Sequence, residues 1–207
     1  MSKRKNSKFK FDRRIGEGLW DNPRSSVIYC SNPPGQHGQK PKTKISDYCM
    51  RLLAKQRLKR YYSNITESKL QKIYKRALRY KGDASHNFAR LLETRIDVLV
   101  YRVNLVKSLI AARQFVNHGH VLVNNTRVTV CSYLCKPGDI FRVTPKSINL
   151  QLIKTAVLNS SLQTPSYIEV NYKHLIFKLA SLPKLDEVDY PSGMCFDLVM
   201  EYYQGLH

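Results

Sequence analysis

The stretch Ala112–Asn125, A-R-Q-F-V-N-H-G-H-V-L-V-N-N, sets two imidazoles around one glycine. His118 and His120, with Cys131 and Cys135 downstream, offer nitrogen and sulfur at spacings a tetrahedral metal accepts. A metal site needs three or four converging ligands, and cysteines in apolar hairpin segments more often pack than ligate. The expectation is therefore no metal and no cofactor. A different chemistry is offered by Arg95, Arg102 and Arg113, with Gln114 beside the last. Arg95 and Arg102 are seven residues apart, two turns of one helix and hence one face. A guanidinium is a planar fork that binds phosphate oxygens in pairs. The competing reading is an internal pair, such as Arg95 with Glu93 or Asp97.

Charge decides what such arginines would meet. The chain has 207 residues, with 35 Lys+Arg against 15 Asp+Glu and a formal net charge of +20. Residues 1–90 hold 23 of the basic and six of the acidic residues, net +17, whereas residues 91–207 are nearly balanced. An excess of this size concerns partners rather than fold, and a polyanion such as nucleic acid is the partner expected. A membrane-surface helix would want several exposed tryptophans and phenylalanines, and Trp20 is the one tryptophan. No membrane span is expected. Five scattered cysteines are an odd number and predict no disulfide framework, which suits a reducing compartment.

These side chains need elements to hold them. Residues 1–45 are basic and punctuated by proline and glycine, and read as an extended tail. Ser46-Asp47 starts a helix running to about Tyr62, which carries Lys55, Arg57, Lys59 and Arg60. Thr66-Glu67 opens a second helix. Its core stripe is Leu70, Ile73, Tyr74, Ala77 and Leu78, and it carries Lys72, Arg76 and Arg79. Glu67 is the one acid between Asp47 and Asp83. These seven cations are expected to meet phosphate, the bland alternative being a solvated face. Among Tyr48, Tyr61, Tyr62, Tyr74 and Tyr80, stacking on unpaired bases competes with core packing, favoured for Tyr61 and Tyr74. Ser85 is expected to cap a third helix that keeps its period from Phe88 to about Asn104, breaking near Thr94-Arg95. Ser108 caps a short helix over Leu109–Asn117, with Gly119 just past its end. V-L-V (121–123), Asn124-Asn125 and R-V-T-V (127–130) read as a hairpin. A turn at 136–139 leads to a strand at 140–143. Residues 144–166 read as linker, 167–170 and 175–179 as short strands, and 195–203 as a final apolar segment.

P-G-Q-H-G-Q (34–39), I-S-D-Y (45–48), L-L-A-K-Q-R-L-K-R-Y-Y (52–62), K-G-D (81–83), L-L-E-T-R-I-D-V-L-V-Y-R (91–102), A-A-R-Q-F-V-N-H-G-H-V-L-V-N (111–124), S-Y (132–133), K-P-G-D (136–139), P-S-Y-I-E-V (165–170) and V-M-E-Y-Y (199–203) stand in this order. In that order they resemble the small-subunit ribosomal protein family uS4, and its alphaproteobacterial and mitochondrial branch above all. The resemblance implies an α+β fold, a helical domain with an inserted S4-type RNA-binding domain of two helices and a small antiparallel sheet. The implied domains are an extended basic segment (1–45), a helical domain (46–93, completed by about 192–207) and the S4 domain with C-terminal strands (94–191). It implies a structural constituent of the small subunit that binds the 5′ domain of its rRNA, nucleates assembly, lines the mRNA entrance and supports accuracy. Neighbours would be ribosomal proteins uS5 and uS3 and, near Lys40, Lys42 and Lys44, mRNA. No homo-oligomer is expected. Arg95-Ile96-Asp97 is also similar to the Arg-Leu-Asp of pseudouridine synthases, but Asp97 lies inside the S4 motif and no catalytic domain accompanies it. No catalysis is expected.

Some relatives carry a four-cysteine zinc site near the N-terminus, where this chain has Cys30 alone. Asn125 stands where relatives usually have glycine, and His86 where an acid is common. Of the two histidines that open this reading, His118 is the one expected to reach RNA. Family similarity from the first residues, with an Asn- and Tyr-rich drift, points to a mitochondrial, organelle-encoded ribosomal protein, the alternative being a bacterial cytoplasm.

Overall fold

The computed structural model describes residues 10–16, 18–19, 27–30, 32–39, 44–158, 164–191 and 193–205. The chain forms two compact units, residues 1–58 with 191–207, and residues 59–190. The division falls within one helix, α2, Asp47–Tyr61.

In the first unit, α1 spans Lys10–Ile15, and Arg13 Nε donates to the Asn32 carbonyl at 3.0 Å. Helix α2 starts where expected, with Ser46 Oγ accepting the Cys49 N–H at 3.4 Å. The closing apolar segment is a helix, here α8, Phe196–Gln204, which buries Val199, Met200 and Tyr203. It faces α2 through Tyr48 and Tyr202, whose ring centroids are 6.0 Å apart, and through Arg51, 2.9 Å from Glu201.

In the second unit, α3 (Glu67–Ala77) buries Leu70, Tyr74 and Ala77 but leaves Leu78 exposed beyond its end. Next come α4 (Ala84–Glu93), α5 (Ile96–Arg102) and α6 (Leu109–Asn117). Asp83, not Ser85, caps α4: its carboxylate accepts the N–H groups of Ser85 and His86. A carboxylate at a helix N-terminus satisfies free donors and opposes the macrodipole, so it outcompetes a hydroxyl two residues on. The expected break at Thr94-Arg95 separates α4 from α5. It is pinned by a strand-like clamp. Arg95 bridges Leu134, Ile96 N–H donates to Tyr133, and Cys135 N–H donates to Thr94. Ser108 caps α6 by accepting from Ala111 N–H at 3.2 Å.

Five antiparallel strands follow, β1 (Val121–Val123), β2 (Thr126–Val128), β3 (Ile140–Val143), β4 (Ile168–Asn171) and β5 (Ile176–Leu179). Their spatial order is β2-β1-β3-β5-β4. The β1–β2 turn puts Asn124 at φ 47° and Asn125 at φ 66°, the left-handed pair a two-residue hairpin demands. Val123 pairs with Phe141, and Phe141 with Phe177, so one sheet face carries a continuous apolar row. That face meets Ile96, Leu99, Val103, Phe115 and Val116 to form the core. Residues 144–166 are not mere linker. They hold a tight turn at Pro145–Ser147 and a helix α7, Gln151–Leu158, with Ile153 buried. The segment is one short amphipathic run with no cap residue to announce it. The architecture is α+β, helices joined to an antiparallel sheet.

Candidate nucleic-acid interface

The structure separates the expected phosphate ligands into an internal set and an exposed set. Arg95 is 2 % exposed. Its Nε donates to Asp97 Oδ1 at 2.9 Å and its Nη2 to the other carboxylate oxygen. Burial works against a charged guanidinium, but Asp97 outweighs it and the Arg95 pKa rises, so the guanidinium stays charged. Arg102 donates Nε and Nη2 to Glu93 at 3.0 Å each. Burial again opposes the charge, Glu93 again prevails, and the Arg102 pKa is raised. Both arginines are therefore structural, and the expected phosphate role for them is corrected. Arg95 stands in extended conformation just before α5 and Arg102 ends that helix, so the seven-residue spacing does not make one helix face of them, and each meets a carboxylate of the protein itself.

Glu93, 1 % exposed, also accepts from Tyr62 Oη at 2.5 Å, Tyr190 Oη at 3.0 Å and Tyr167 Oη at 3.4 Å. Burial, then the nearby carboxylate, raises the pKa of all three tyrosines, so they remain neutral donors. This cluster was not foreseen. Its members are far apart in sequence, and only the fold brings them together.

Three cations of α2 are also occupied within their own units. Lys55 is buried, with Nζ 4.1 Å above the Tyr202 ring. Arg57 Nη1 donates to the Gly193 carbonyl at 2.6 Å, and Lys59 Nζ meets Glu67 at 3.0 Å. Arg60 is buried as well. Apart from the partly open Arg57 and Lys59, the α2 set is thus not an open phosphate surface. Lys44 is exposed, whereas Lys40 and Lys42 lie outside the described residues.

The exposed set is on α3 and its exit. Lys72, Lys75, Arg76 and Arg79 are exposed and, with Tyr80, line one open concavity of about 560 Å³. No acidic side chain lines it. On α6, Gln114 and His118 are exposed, and half-buried Arg113 donates Nη1 to the Ser63 carbonyl at 3.2 Å. That carbonyl belongs to a tight turn with Ser63 at φ 58° and Asn64 at φ 54°. Arg113 therefore fastens a turn while part of it stays open to solvent.

The two histidines part company. The His120 ring lies 4.8 Å from the Phe115 ring, and its Nδ1 is 2.7 Å from Ser147 Oγ. Burial first, then His118 and Arg127, lowers its pKa. His120 is a fixed, neutral corner residue at neutral pH. Gly119 between them has φ +73°, and a Cβ there would strike the Arg127 guanidinium at 2.2 Å. Arg127 donates to the His118 and Gly119 carbonyls at 2.9 and 3.1 Å, a cation at the C-terminal end of α6. Hairpin register, with Arg127 opposite Leu122, was the signal that could have found it. Cys131 and Cys135 are buried, and burial, then Asp139, pushes the Cys135 thiol up to about 12. Among the described residues, no three His, Cys, Asp or Glu side chains are placed to hold a metal ion. Among the described residues, no helix is long and apolar enough to cross a membrane.

The helix pair α5 and α6 with the small antiparallel sheet defines an S4-type RNA-binding fold, and the exposed cationic face precedes it on α3. Family models agree: residues 3–93 match the ribosomal protein S4/S9 N-terminal domain and residues 94–141 match the S4 domain. The small ribosomal subunit proteins uS4 of Caulobacter vibrioides and Phenylobacterium zucineum are each 48 % identical over 203 residues, covering 98 % of this chain and 99 % of theirs. That of Rhizobium meliloti is 46 % identical over the same span. The chain belongs to the small-subunit ribosomal protein uS4 family. It is a structural protein and not an enzyme.

Proposed function

We propose that the chain binds the 5′ domain of small-subunit rRNA, nucleates assembly of the subunit there, and lines the mRNA entrance in support of accurate decoding. The observation that carries the RNA reading is the acid-free concavity of Lys72, Lys75, Arg76 and Arg79. Four cations held on one helical segment are a phosphate-binding surface whose affinity comes from counterion release. Arg113, Gln114 and His118 form a second, more polar contact surface on α6. Exposed Lys44, with Lys40 and Lys42 before it in sequence, is assigned to the mRNA entrance, with uS5 and uS3 as the protein neighbours. Sequence specificity comes from RNA shape, because A-form grooves hide base edges from side chains.

Sedimentation on a sucrose gradient tests this reading. The chain is expected to migrate with salt-washed small subunits, and confinement to the top fractions would overturn it. The compartment proposed is the mitochondrial matrix, on the chain's Asn- and Tyr-rich drift. The relatives named above are bacterial and favour a bacterial cytoplasm as the second reading. Fractionation of the source cells decides between the two.

A further inference from the structure

A second hollow opens beside the cationic concavity and shares Arg76 and Tyr80 with it. Its volume is about 250 Å³. That is below the roughly 300–1,000 Å³ of pockets for drug-sized ligands, and it suits a single planar ring system. The lining is unlike that of a phosphate site. Leu91, Leu134, Pro137 and Leu182 make an apolar wall, while Arg76, Arg90 and Lys136 supply cations. Tyr80 is 47 % exposed and Leu182 is 42 % exposed, so an aromatic ring and an aliphatic side chain stand open to solvent at the same hollow.

Two polar groups here have capacity to spare. Arg90 Nε is buried and has no hydrogen-bond partner among the described residues. Asn87 is buried, and its Nδ2 is spent on the Tyr80 and Lys81 carbonyls, while no described residue donates to its Oδ1. A buried donor without a partner is a feature a ligand would satisfy, and the Asn87 amide oxygen beside it is a further acceptor.

We propose that this hollow takes one unpaired nucleobase of the bound RNA, while the neighbouring phosphates lie on Arg76 and Lys136. The inference rests on the RNA-binding reading above and deepens it. An unstacked base has an apolar face for Tyr80 and Leu182, and a polar edge for Asn87 and Arg90. Base–aromatic stacking is the usual means of holding such a base. The shared residues, Arg76 and Tyr80, let one strand run from the concavity to the hollow without leaving the protein surface. Double-stranded RNA has no free base to supply, so the hollow gives the protein a preference for loops and bulges over plain helix.

The test uses the full chain and two labelled RNAs of equal length, a hairpin with unpaired adenines in its loop and a fully paired duplex. Fluorescence anisotropy at fixed salt gives both affinities, and 2-aminopurine at one loop position reports its stacking. The wild type is expected to prefer the hairpin and to change the 2-aminopurine emission. Tyr80→Ala and Leu182→Trp, both at exposed positions, are expected to cut that preference by about tenfold or more, the loss of one stacked base. Equal affinity of the wild type for both RNAs, with no emission change, overturns the hollow and leaves phosphate binding standing. Loss of affinity in Tyr80→Ala that is the same on both RNAs also overturns it. Failure to bind either RNA overturns both readings together.

Discussion

Glu93→Gln isolates the polar cluster at the centre of the second unit. The carboxylate receives three tyrosine hydroxyls and two Arg102 N–H groups, and Arg102 has no other carboxylate among its hydrogen-bond partners. An amide of the same shape turns one acceptor oxygen into a donor. At least one of the five donors then faces another donor, and the buried guanidinium loses its counter-charge. Removing one partner of a buried pair costs about 3–5 kcal/mol. For a chain of this size each kcal/mol moves Tm by roughly 2–4 °C, so a fall of roughly 6–20 °C is expected. Urea unfolding followed by circular dichroism measures the loss, with an unchanged slope showing that the same surface is exposed. Glu93→Gln/Arg102→Met, which leaves no unpaired charge, should lose clearly less than the sum of the two single variants. A Glu93→Gln loss below about 1 kcal/mol, the range of an exposed ion pair, would refute the claim that Glu93 organises this unit.

Two further outcomes follow from the same geometry. Lys72→Gln/Arg76→Gln/Arg79→Gln should flatten the plot of log affinity against log salt by about 2 to 3 in slope, at roughly 0.7–0.9 per phosphate contact; an unchanged slope in a salt titration removes these three side chains from the RNA surface. Tyr62, Tyr167 and Tyr190 have pKa values raised by burial and by Glu93. The fold therefore keeps protons that the unfolded chain releases. Their contribution is complete below about pH 10, where an exposed tyrosine ionises, and is lost as pH climbs towards the folded values. Urea midpoints measured upward from neutral pH should hold steady and then drop above that point, and drop less in Tyr190→Phe.

What the sequence disclosed was local. Helix α6 begins at Ser108 and ends before Gly119 because one hydroxyl and one positive φ settle its ends, and both are visible as residue types. The Asn124-Asn125 turn is legible for the same reason. The failures are tertiary. A guanidinium at the right helical spacing looks alike whether it meets phosphate or a carboxylate, so Arg95 and Arg102 were assigned outward while Asp97 and Glu93 held them inward. Asp97, two residues away, was at least a visible rival. Tyr167 and Tyr190 were not, being more than seventy positions from Glu93 in one case and more than ninety in the other. Among the described residues no carboxylate pairs with Lys72, Arg76 or Arg79, and all three are open to solvent, Arg76 donating only to the Tyr80 hydroxyl.

The clamp at the α4–α5 corner sets an order of events during synthesis. Apolar positions keep one helical period from Phe88 to Val103, so the apolar pattern alone does not mark the bend at Thr94. The bend is held by the backbone of Tyr133, Leu134 and Cys135. These emerge from the polypeptide exit some forty residues after the corner they fasten. Until then a nascent chain is free to carry residues 84–102 as one straight rod. In the folded chain the backbone of Tyr133, Leu134 and Cys135 holds the corner between two helices, and the Arg95–Asp97 pair beside it is buried. A product truncated before Cys135 lacks the backbone groups that hold this corner.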